Sequence, residues 1–273
     1  MKKSLLIIVL ISACQFRVAD EDARESLEDV PIEIRFGDLL VDGRNMHYAY
    51  TEQEKDVQLV FIHGSPGSWN AFIDFFKVDS LLRDFDMLSV DRPGFGDSGF
   101  GEAEPSLEKQ ALLIERVLSQ FPKKKQILIG HSLGGPVAAR MAMDFPEDFD
   151  GIILVAPSID PSLEEEEWYR GAIKTQVGAF FTPKEFEVSN DEILALRGEL
   201  ELMLPLWDKI KVPTIVIQGT EDSLVPKENA AFAKRMISDS LLEVNLLDGV
   251  NHFIPWTDPQ EITKAIYQLI DGQ

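Results

Sequence analysis

One serine of the chain stands in a pattern that is typical of activated serine hydroxyls. Ser132 is the central residue of segment 130–134 (GHSLG), which follows the apolar run 126–129 and precedes a helical pattern. A G-x-S-x-G segment between a strand and a helix forms a sharp turn that strains the serine backbone and lifts its hydroxyl above the sheet. The flanking glycines allow the close approach that this turn requires. We therefore predict that Ser132 is a nucleophile.

A serine hydroxyl needs a base, and the chain offers four histidines: His47, His63, His131 and His252. His252 follows the last predicted strand, where a loop at the carboxyl edge of the sheet reaches over Ser132. His131 adjoins Ser132 and is expected to point elsewhere on the turn. The sequence favours His252 as the base, with a buried structural histidine as the alternative.

The base needs an orienting carboxylate. Asp222 comes just after the predicted strand 214–218, where such a carboxylate has to lie. Asp160, after the preceding strand, is the other candidate. Glu221 has the wrong phase, and Asp248 is interpreted as a turn residue. We predict that Asp222 is the acid.

Short apolar runs alternate with amphipathic segments along the chain. The predicted strands are 57–62, 87–90, 126–129, 152–155, 214–218 and 242–247, and the predicted helices are 106–120, 133–144, 227–237 and 259–270. Such alternation predicts an α/β fold with a doubly wound, mostly parallel sheet. The runs 32–40 and 44–50 flank an Asp-Gly turn and predict an antiparallel hairpin at the start.

A long segment interrupts this alternation. Residues 157–212 separate two consecutive strands and are predicted to form a helical cap insertion, with helical patches at 164–178 and 193–207. Its aromatic residues, among them Trp168, Phe181 and Trp207, favour an apolar acyl or aryl group. Holding the cap together is the alternative role for these residues.

The order Ser132, Asp222, His252 resembles that of the α/β-hydrolase superfamily, over residues 32–270. Segment 63–67 (HGSPG) is similar to the oxyanion loop of that superfamily, and segment 91–98 (DRPGFGDS) to its strand-4 loop. The resemblance implies a capped member of serine esterase or lipase type.

The resemblance also implies an oxyanion hole made of two backbone N–H groups. One belongs to Leu133, the residue after the nucleophile. The other comes from the 63–67 loop, where Pro66 has no N–H, so we expect Ser65 to supply it. In the 91–98 loop, Arg92 and Asp97 are expected to brace neighbouring loops, with substrate contact as the alternative.

A serine at position 132 narrows the range of reactions that the superfamily resemblance allows. Haloalkane dehalogenases and epoxide hydrolases of the superfamily carry aspartate at the nucleophile position. The remaining expectation is hydrolysis of a small carboxylic ester through an acyl-enzyme. The alternatives are a carbon–carbon bond hydrolase, a perhydrolase, and a surface-anchored binding protein without turnover. No cofactor is expected, and no metal site, because the four histidines are scattered and the only cysteine is Cys14.

Charge excludes one class of partner. The 273 residues hold 26 Lys and Arg against 47 Asp and Glu, a formal net charge of −21. A field of this sign repels phosphate backbones, so no nucleic-acid partner is expected.

The N-terminus is typical of an export signal. Two lysines precede the apolar run 5–11, which is far shorter than the roughly 20 residues that span a bilayer. Segment 11–14 (ISAC) resembles the bacterial lipobox, which predicts a signal peptide of residues 1–13, lipidation of Cys14 and anchoring to a membrane of the cell envelope, the outer membrane or its periplasmic face. An ordinary signal peptide is the alternative. Residues 14–30 are predicted to form a flexible, acid-rich tether to the hydrolase domain 31–273.

We expect the wild-type chain, expressed in a bacterial host, to incorporate labelled fatty acid and to sediment with membranes. Cys14→Ser removes the thiol that would carry the lipid, so this variant is expected to do neither. Labelling is measured by gel fluorography after membrane fractionation. A wild-type protein that stays soluble and unlabelled would contradict the lipobox.

Overall fold

The fold is built on one eight-stranded sheet, in a computed structural model that describes residues 18–122, 124–164 and 182–272. The strands are β1 (Arg35–Val41), β2 (Arg44–Tyr50), β3 (Val57–Ile62), β4 (Asp86–Val90), β5 (Lys125–His131), β6 (Gly151–Val155), β7 (Thr214–Gly219) and β8 (Leu242–Leu247). Their order across the sheet is β1-β2-β4-β3-β5-β6-β7-β8. Pairs β1–β2 and β2–β4 are antiparallel and the other pairs are parallel, which confirms the predicted sheet.

Helices cover both faces of this sheet. They are α1 (Asp20–Ser26), α2 (Asp79–Asp84), α3 (Leu107–Leu118), α4 (Gly134–Asp144), α5 (Lys184–Met203), α6 (Glu228–Met236), α7 (Ile254–Thr257) and α8 (Pro259–Asp271). Short 3₁₀ segments lie at Trp69–Lys77, Pro161–Leu163 and Leu204–Lys209. No helix within the described ranges combines the length and apolar character needed to span a membrane.

The core consists of two apolar clusters, one on each side of the sheet. Because side chains alternate along a strand, Val60 and Ile62 of β3 pack in one cluster, and Leu59 and Phe61 pack in the other. The first cluster is covered by α3, α4 and α6, and the second by α2, α8 and the Trp69–Lys77 segment. Burial on both faces explains the continuous apolar runs that predicted these strands.

The hairpin between β1 and β2 has the predicted antiparallel form. Asp42 and Gly43 both adopt positive φ angles, of 50° and 84°. Two consecutive positive φ values match the right-handed twist of the flanking strands, and Asp-Gly is a favoured pair there.

The N-terminal segment departs from the prediction of a flexible tether over 14–30. Residues Asp20–Ser26 form α1, where Ala23 is fully buried and Leu27 just beyond is 6% exposed, both in the second apolar cluster. Ala23 and Leu27 lie on the same face of α1, and this face of an otherwise acidic helix packs against the second apolar cluster. The tether prediction is therefore wrong from Asp20 onward, and residues 1–17 lie outside the described part of the chain.

The described part of the predicted cap includes the Pro161–Leu163 segment, α5 and the 3₁₀ segment after it. Trp207 is 2% exposed and packs edge-on against Phe232 at 5.4 Å between ring centroids, so it holds this segment to the body. Trp168, Phe181 and nearly all of the predicted patch 164–178 lie outside the described residues.

Candidate active site

Ser132 occupies the sharp turn between β5 and α4. Its φ angle is +54°, a left-handed conformation that costs a non-glycine residue about 1–2 kcal/mol. The turn is fixed by its backbone, because Ser132 N–H donates to the carbonyl of Val155 at 2.9 Å and Gly135 N–H donates to the carbonyl of Ser132 at 2.9 Å. The serine is half-buried, so its hydroxyl can meet a small molecule.

The turn leaves no space for larger neighbours. A Cβ atom at Gly134 would lie 2.2 Å from the carbonyl oxygen of Ile62, and one at Gly130 would lie 2.3 Å from the carbonyl oxygen of Gly134. Both distances are far inside van der Waals contact. These two positions accept only glycine because backbone meets backbone there.

Asp222 and His252 form a buried pair at the carboxyl edge of the sheet. His252 Nδ1–H donates to Asp222 Oδ2 at 2.7 Å, and both side chains are at most 7% exposed. Asp222 Oδ1 accepts the backbone N–H groups of Leu224 and Val225, at 2.9 and 2.8 Å. Burial acts to raise the pKa of Asp222, but the hydrogen bond and charge of His252 and these two N–H groups together hold it below its usual value. Asp222 is thus a stable carboxylate aimed at one imidazole nitrogen.

The histidine loop is fastened directly to the serine turn. His131 Nε2–H donates to the carbonyl oxygen of His252 at 3.0 Å, and the two rings lie 4.8 Å apart between centroids. Burial, with a contribution from the nearby charge of His252, lowers the pKa of His131 to about 3. His131 is therefore neutral at physiological pH. Its hydrogen bond holds the loop that carries His252 against the turn that carries Ser132. Within the described residues, Ser132 Oγ forms no hydrogen bond. This does not argue against a catalytic role, because catalytic hydrogen bonds often form or tighten only when substrate binds.

The alternative acid, Asp160, has different partners. Its Oδ1 accepts from the backbone N–H and the hydroxyl of Ser162, at 2.9 and 2.6 Å, and its Oδ2 pairs with Arg235 at 3.0 Å. Asp248 accepts from the Thr220 hydroxyl at 3.2 Å, as a turn residue would. The geometry thus brings Asp222 to the histidine, and it assigns Asp160 to a helix cap and an ion pair.

The loop after β3 lies against Ser132. A Cβ atom at Gly64 would be 3.0 Å from the Cβ of Ser132. Leu133 N–H and Ser65 N–H donate no hydrogen bond within the described residues, so both can receive a new acceptor. The two predicted donors therefore lie on the segments that enclose Ser132.

A buried ion pair fixes that loop. Arg92 and Glu192 meet at 2.7 Å with side chains 0% and 1% exposed. Arg92 also donates to the carbonyl oxygens of His63 and Gly64, at 2.8 and 3.0 Å, and Glu192 Oε2 accepts from the Ser65 hydroxyl at 2.7 Å. The predicted bracing role of Arg92 is confirmed. Glu192 was not predicted, because it lies on α5 of the insertion and belongs to no recognisable motif.

The rest of the 91–98 loop is held by its own carboxylate. Asp91 accepts the backbone N–H groups of Trp69 and Asp97, at 2.7 and 2.8 Å. Burial raises the pKa of Asp91 to about 7 despite these two hydrogen bonds. The Asp97 carbonyl in turn accepts from Asn45 at 3.0 Å, so the loop is tied to β2 as expected.

Comparison with known proteins shows which families and folds this chain resembles. The family model of the alpha/beta hydrolase fold matches residues 58–187. The uncharacterised hydrolase YugF of Bacillus subtilis (strain 168) is 27% identical over 274 residues, covering 84% of this chain and 96% of that protein. A pimeloyl-[acyl-carrier protein] methyl ester esterase of Vibrio parahaemolyticus is 32% identical over 156 residues, covering 56% of this chain and 57% of the esterase.

Among solved structures, a membrane phospholipase A described as a bacterial virulence factor superposes with a TM-score of 0.68 at 19% identity, over 100% of this chain and 99% of that one. The chain has the α/β-hydrolase fold. The two sequence relatives are a hydrolase and an esterase by name, so the chain is similar in sequence to hydrolases of this fold.

The buried pair predicts a large effect on stability. Glu192→Leu leaves the Arg92 charge buried without a partner, and we expect it to lower the free energy of unfolding by about 3–5 kcal/mol. Glu192→Gln retains hydrogen-bonding atoms and should cost less. Urea unfolding followed by circular dichroism gives these values.

Glu187→Gln is the matched control, because Glu187 lies on the same helix in a partly exposed pair with Lys184 at 2.7 Å. Pairs of that kind contribute about 0–1 kcal/mol. Equal losses of stability in the Glu192→Leu and Glu187→Gln proteins would show that the buried pair does not hold the cap helix.

Proposed function

We propose that this chain is a serine hydrolase that cleaves a carboxylic ester through an acyl-enzyme on Ser132. One observation carries the proposal: a serine held at positive φ on the strand–helix turn directly follows His131, whose ring donates to the backbone of His252, and the His252 side chain is hydrogen-bonded to a buried carboxylate. Strained backbone persists where function selects it, and this residue order and geometry fit nucleophilic catalysis.

Each residue has a defined step in the proposed reaction. His252 Nε2 takes the Ser132 hydroxyl proton as Oγ attacks the ester carbonyl carbon. The tetrahedral intermediate collapses, the proton passes from His252 to the departing alkoxide, and an alcohol leaves. Water then attacks the acyl-enzyme with His252 again as base, which releases a carboxylic acid and restores Ser132. Asp222 orients the imidazole and stabilises its charged form.

As the serine attacks, negative charge develops on the ester carbonyl oxygen, between the start of α4 and the 63–67 loop. The carbonyl oxygen becomes an oxyanion beside Ser132, where the N–H groups of Leu133 and Ser65 are the proposed donors. A donor of this kind contributes roughly 3–4 kcal/mol of transition-state stabilisation in other acyl transfer enzymes. The Arg92–Glu192 pair supports the second donor, since it holds both the loop backbone and the Ser65 hydroxyl.

The ester substrate class rests on the chemistry of serine and on the relatives. The Vibrio parahaemolyticus relative is a pimeloyl-[acyl-carrier protein] methyl ester esterase, and the reaction proposed for this chain is of that type. Carbon–carbon bond hydrolysis and perhydrolysis use the same residues, so a substrate panel includes a ring-fission dienone and a peroxide assay beside p-nitrophenyl esters.

We also propose that the protein is exported and held at a membrane of a bacterial cell envelope by lipid on Cys14. The support is the basic start, the short apolar run and segment 11–14 of the sequence. Lipid on a cysteine attaches a protein to a membrane without a membrane-spanning segment, and this mode of attachment agrees with the described part of the chain.

A fluorophosphonate probe is expected to label the pure protein once, at Ser132. Ser132→Ala should abolish both labelling and ester turnover, and His252→Ala should remove labelling at neutral pH because the hydroxyl then keeps its proton. Ser119→Ala, at the exposed end of α3, is the control and should label normally. A folded wild-type protein that neither reacts nor cleaves any short-chain ester would favour a binding role instead.

Asp222→Asn is expected to lower kcat by about 10⁴-fold, because an amide no longer holds the histidine in its productive tautomer. Asp160→Asn should leave kcat within a few-fold of wild type, since Asp160 pairs with Ser162 and Arg235. Steady-state kinetics on a p-nitrophenyl ester compare the two. The reverse ranking would assign the acid to the loop after β6.

A further inference from the structure

The described residues form a second cluster of polar side chains that the proposed reaction does not use. Asp20 on α1, His47 on β2 and Asp97 in the 91–98 loop each offer one ligand atom, and these three atoms lie within 4.8 Å of one another. The three residues come from separate segments of the chain. The two aspartates therefore lie close to the buried imidazole of His47.

Two atoms of this cluster are buried without a hydrogen-bond partner. They are His47 Nε2 and Asp20 Oδ1, which face each other at 3.2 Å, and His47 is only 2% exposed. A carboxylate oxygen can only accept, and a neutral imidazole that donates through Nδ1 has a lone pair at Nε2. Two lone pairs in a buried site repel each other unless a proton or a metal cation lies between them.

The other side of His47 is built to keep Nε2 as a ligand atom. His47 Nδ1 lies 3.3 Å from Asp38 Oδ1, and Asn45 donates to that same oxygen at 2.7 Å. Metal-binding histidines characteristically donate their second ring nitrogen to a carboxylate, which fixes the tautomer and makes the ligand more basic. Asn45 also donates to the carbonyl of Asp97, so these supporting hydrogen bonds join two of the three ligands.

The distance between the His47 and Asp20 ligand atoms fits a small divalent ion. Zinc lies about 2.0–2.2 Å from imidazole nitrogen and carboxylate oxygen, so two ligands at a tetrahedral angle are about 3.3 Å apart. The observed separation of 3.2 Å between His47 Nε2 and Asp20 Oδ1 matches that edge. One imidazole and two carboxylates suit zinc or manganese, whereas calcium takes oxygen ligands alone.

We propose that Asp20, His47 and Asp97 bind one divalent transition-metal ion, with zinc the ion that fits best. The ion fastens α1 to β2 and to the 91–98 loop, whose Arg92 holds the oxyanion loop. It has no part in bond cleavage, because none of its ligands belongs to the Ser132, Asp222 and His252 group. No sequence motif marks this cluster, since its proposed ligands are 27 and 50 residues apart along the chain.

Zinc chloride titrated into the chelator-treated, purified protein tests the proposal by calorimetry, with bound metal counted by mass spectrometry. We expect one zinc per chain and a higher Tm when it is bound. Asp20→Asn, which keeps the shape of the side chain, should weaken binding at least tenfold and lose the rise in Tm, as should Asp97→Asn and His47→Asn. Calcium should not replace zinc.

Asp42→Asn is the matched control, because Asp42 is an exposed acid in the turn of the same hairpin. It should bind zinc as the wild type does. The ¹⁵N chemical shift of His47 Nε2 should also move when zinc is added, which separates this site from His252 and His131. No zinc uptake at micromolar concentration, or wild-type affinity in Asp20→Asn, would overturn the proposal.

Discussion

The turn that carries Ser132 is the constraint on which the rest of the site depends. Backbone meets backbone at Gly134, whose missing Cβ would lie 2.2 Å from the Ile62 carbonyl oxygen. The end of β5 and the start of α4 are therefore pressed against the end of β3. Because the strands are parallel, the loops that follow β3, β6 and β7 also emerge at this edge. A single strained serine thus lies where several loops can be brought to it.

Two different interactions bring those loops in. His131, which is neutral because burial lowers its pKa to about 3, donates to the carbonyl of His252 and so ties the loop that carries His252 to the turn. The Arg92–Glu192 pair does the same for the 63–67 loop, at the cost of burying two charges. Removing one partner is strongly destabilising, and the loop geometry therefore depends on the position of cap helix α5.

Most of the fold and the candidate triad could be predicted because the signals are local. The bounds of β3 and β8 follow from apolar runs, and Asp222 and His252 each follow a strand directly. Glu192 could not be predicted, because it meets Arg92 only through packing of an insertion 100 residues away. Helix α1 was not predicted, because the two side chains that pack it against the sheet domain, Ala23 and Leu27, stand in an otherwise acid-rich sequence.

The central claim is that Ser132 becomes acylated during turnover. Rapid quenching of the protein with a p-nitrophenyl ester, followed by peptide mass spectrometry, measures this directly. The account predicts an acyl mass increment on the peptide that contains Ser132, formed in a burst with p-nitrophenol and lost in Ser132→Ala. Turnover of the ester with no covalent intermediate, or with the increment on another residue, would contradict it.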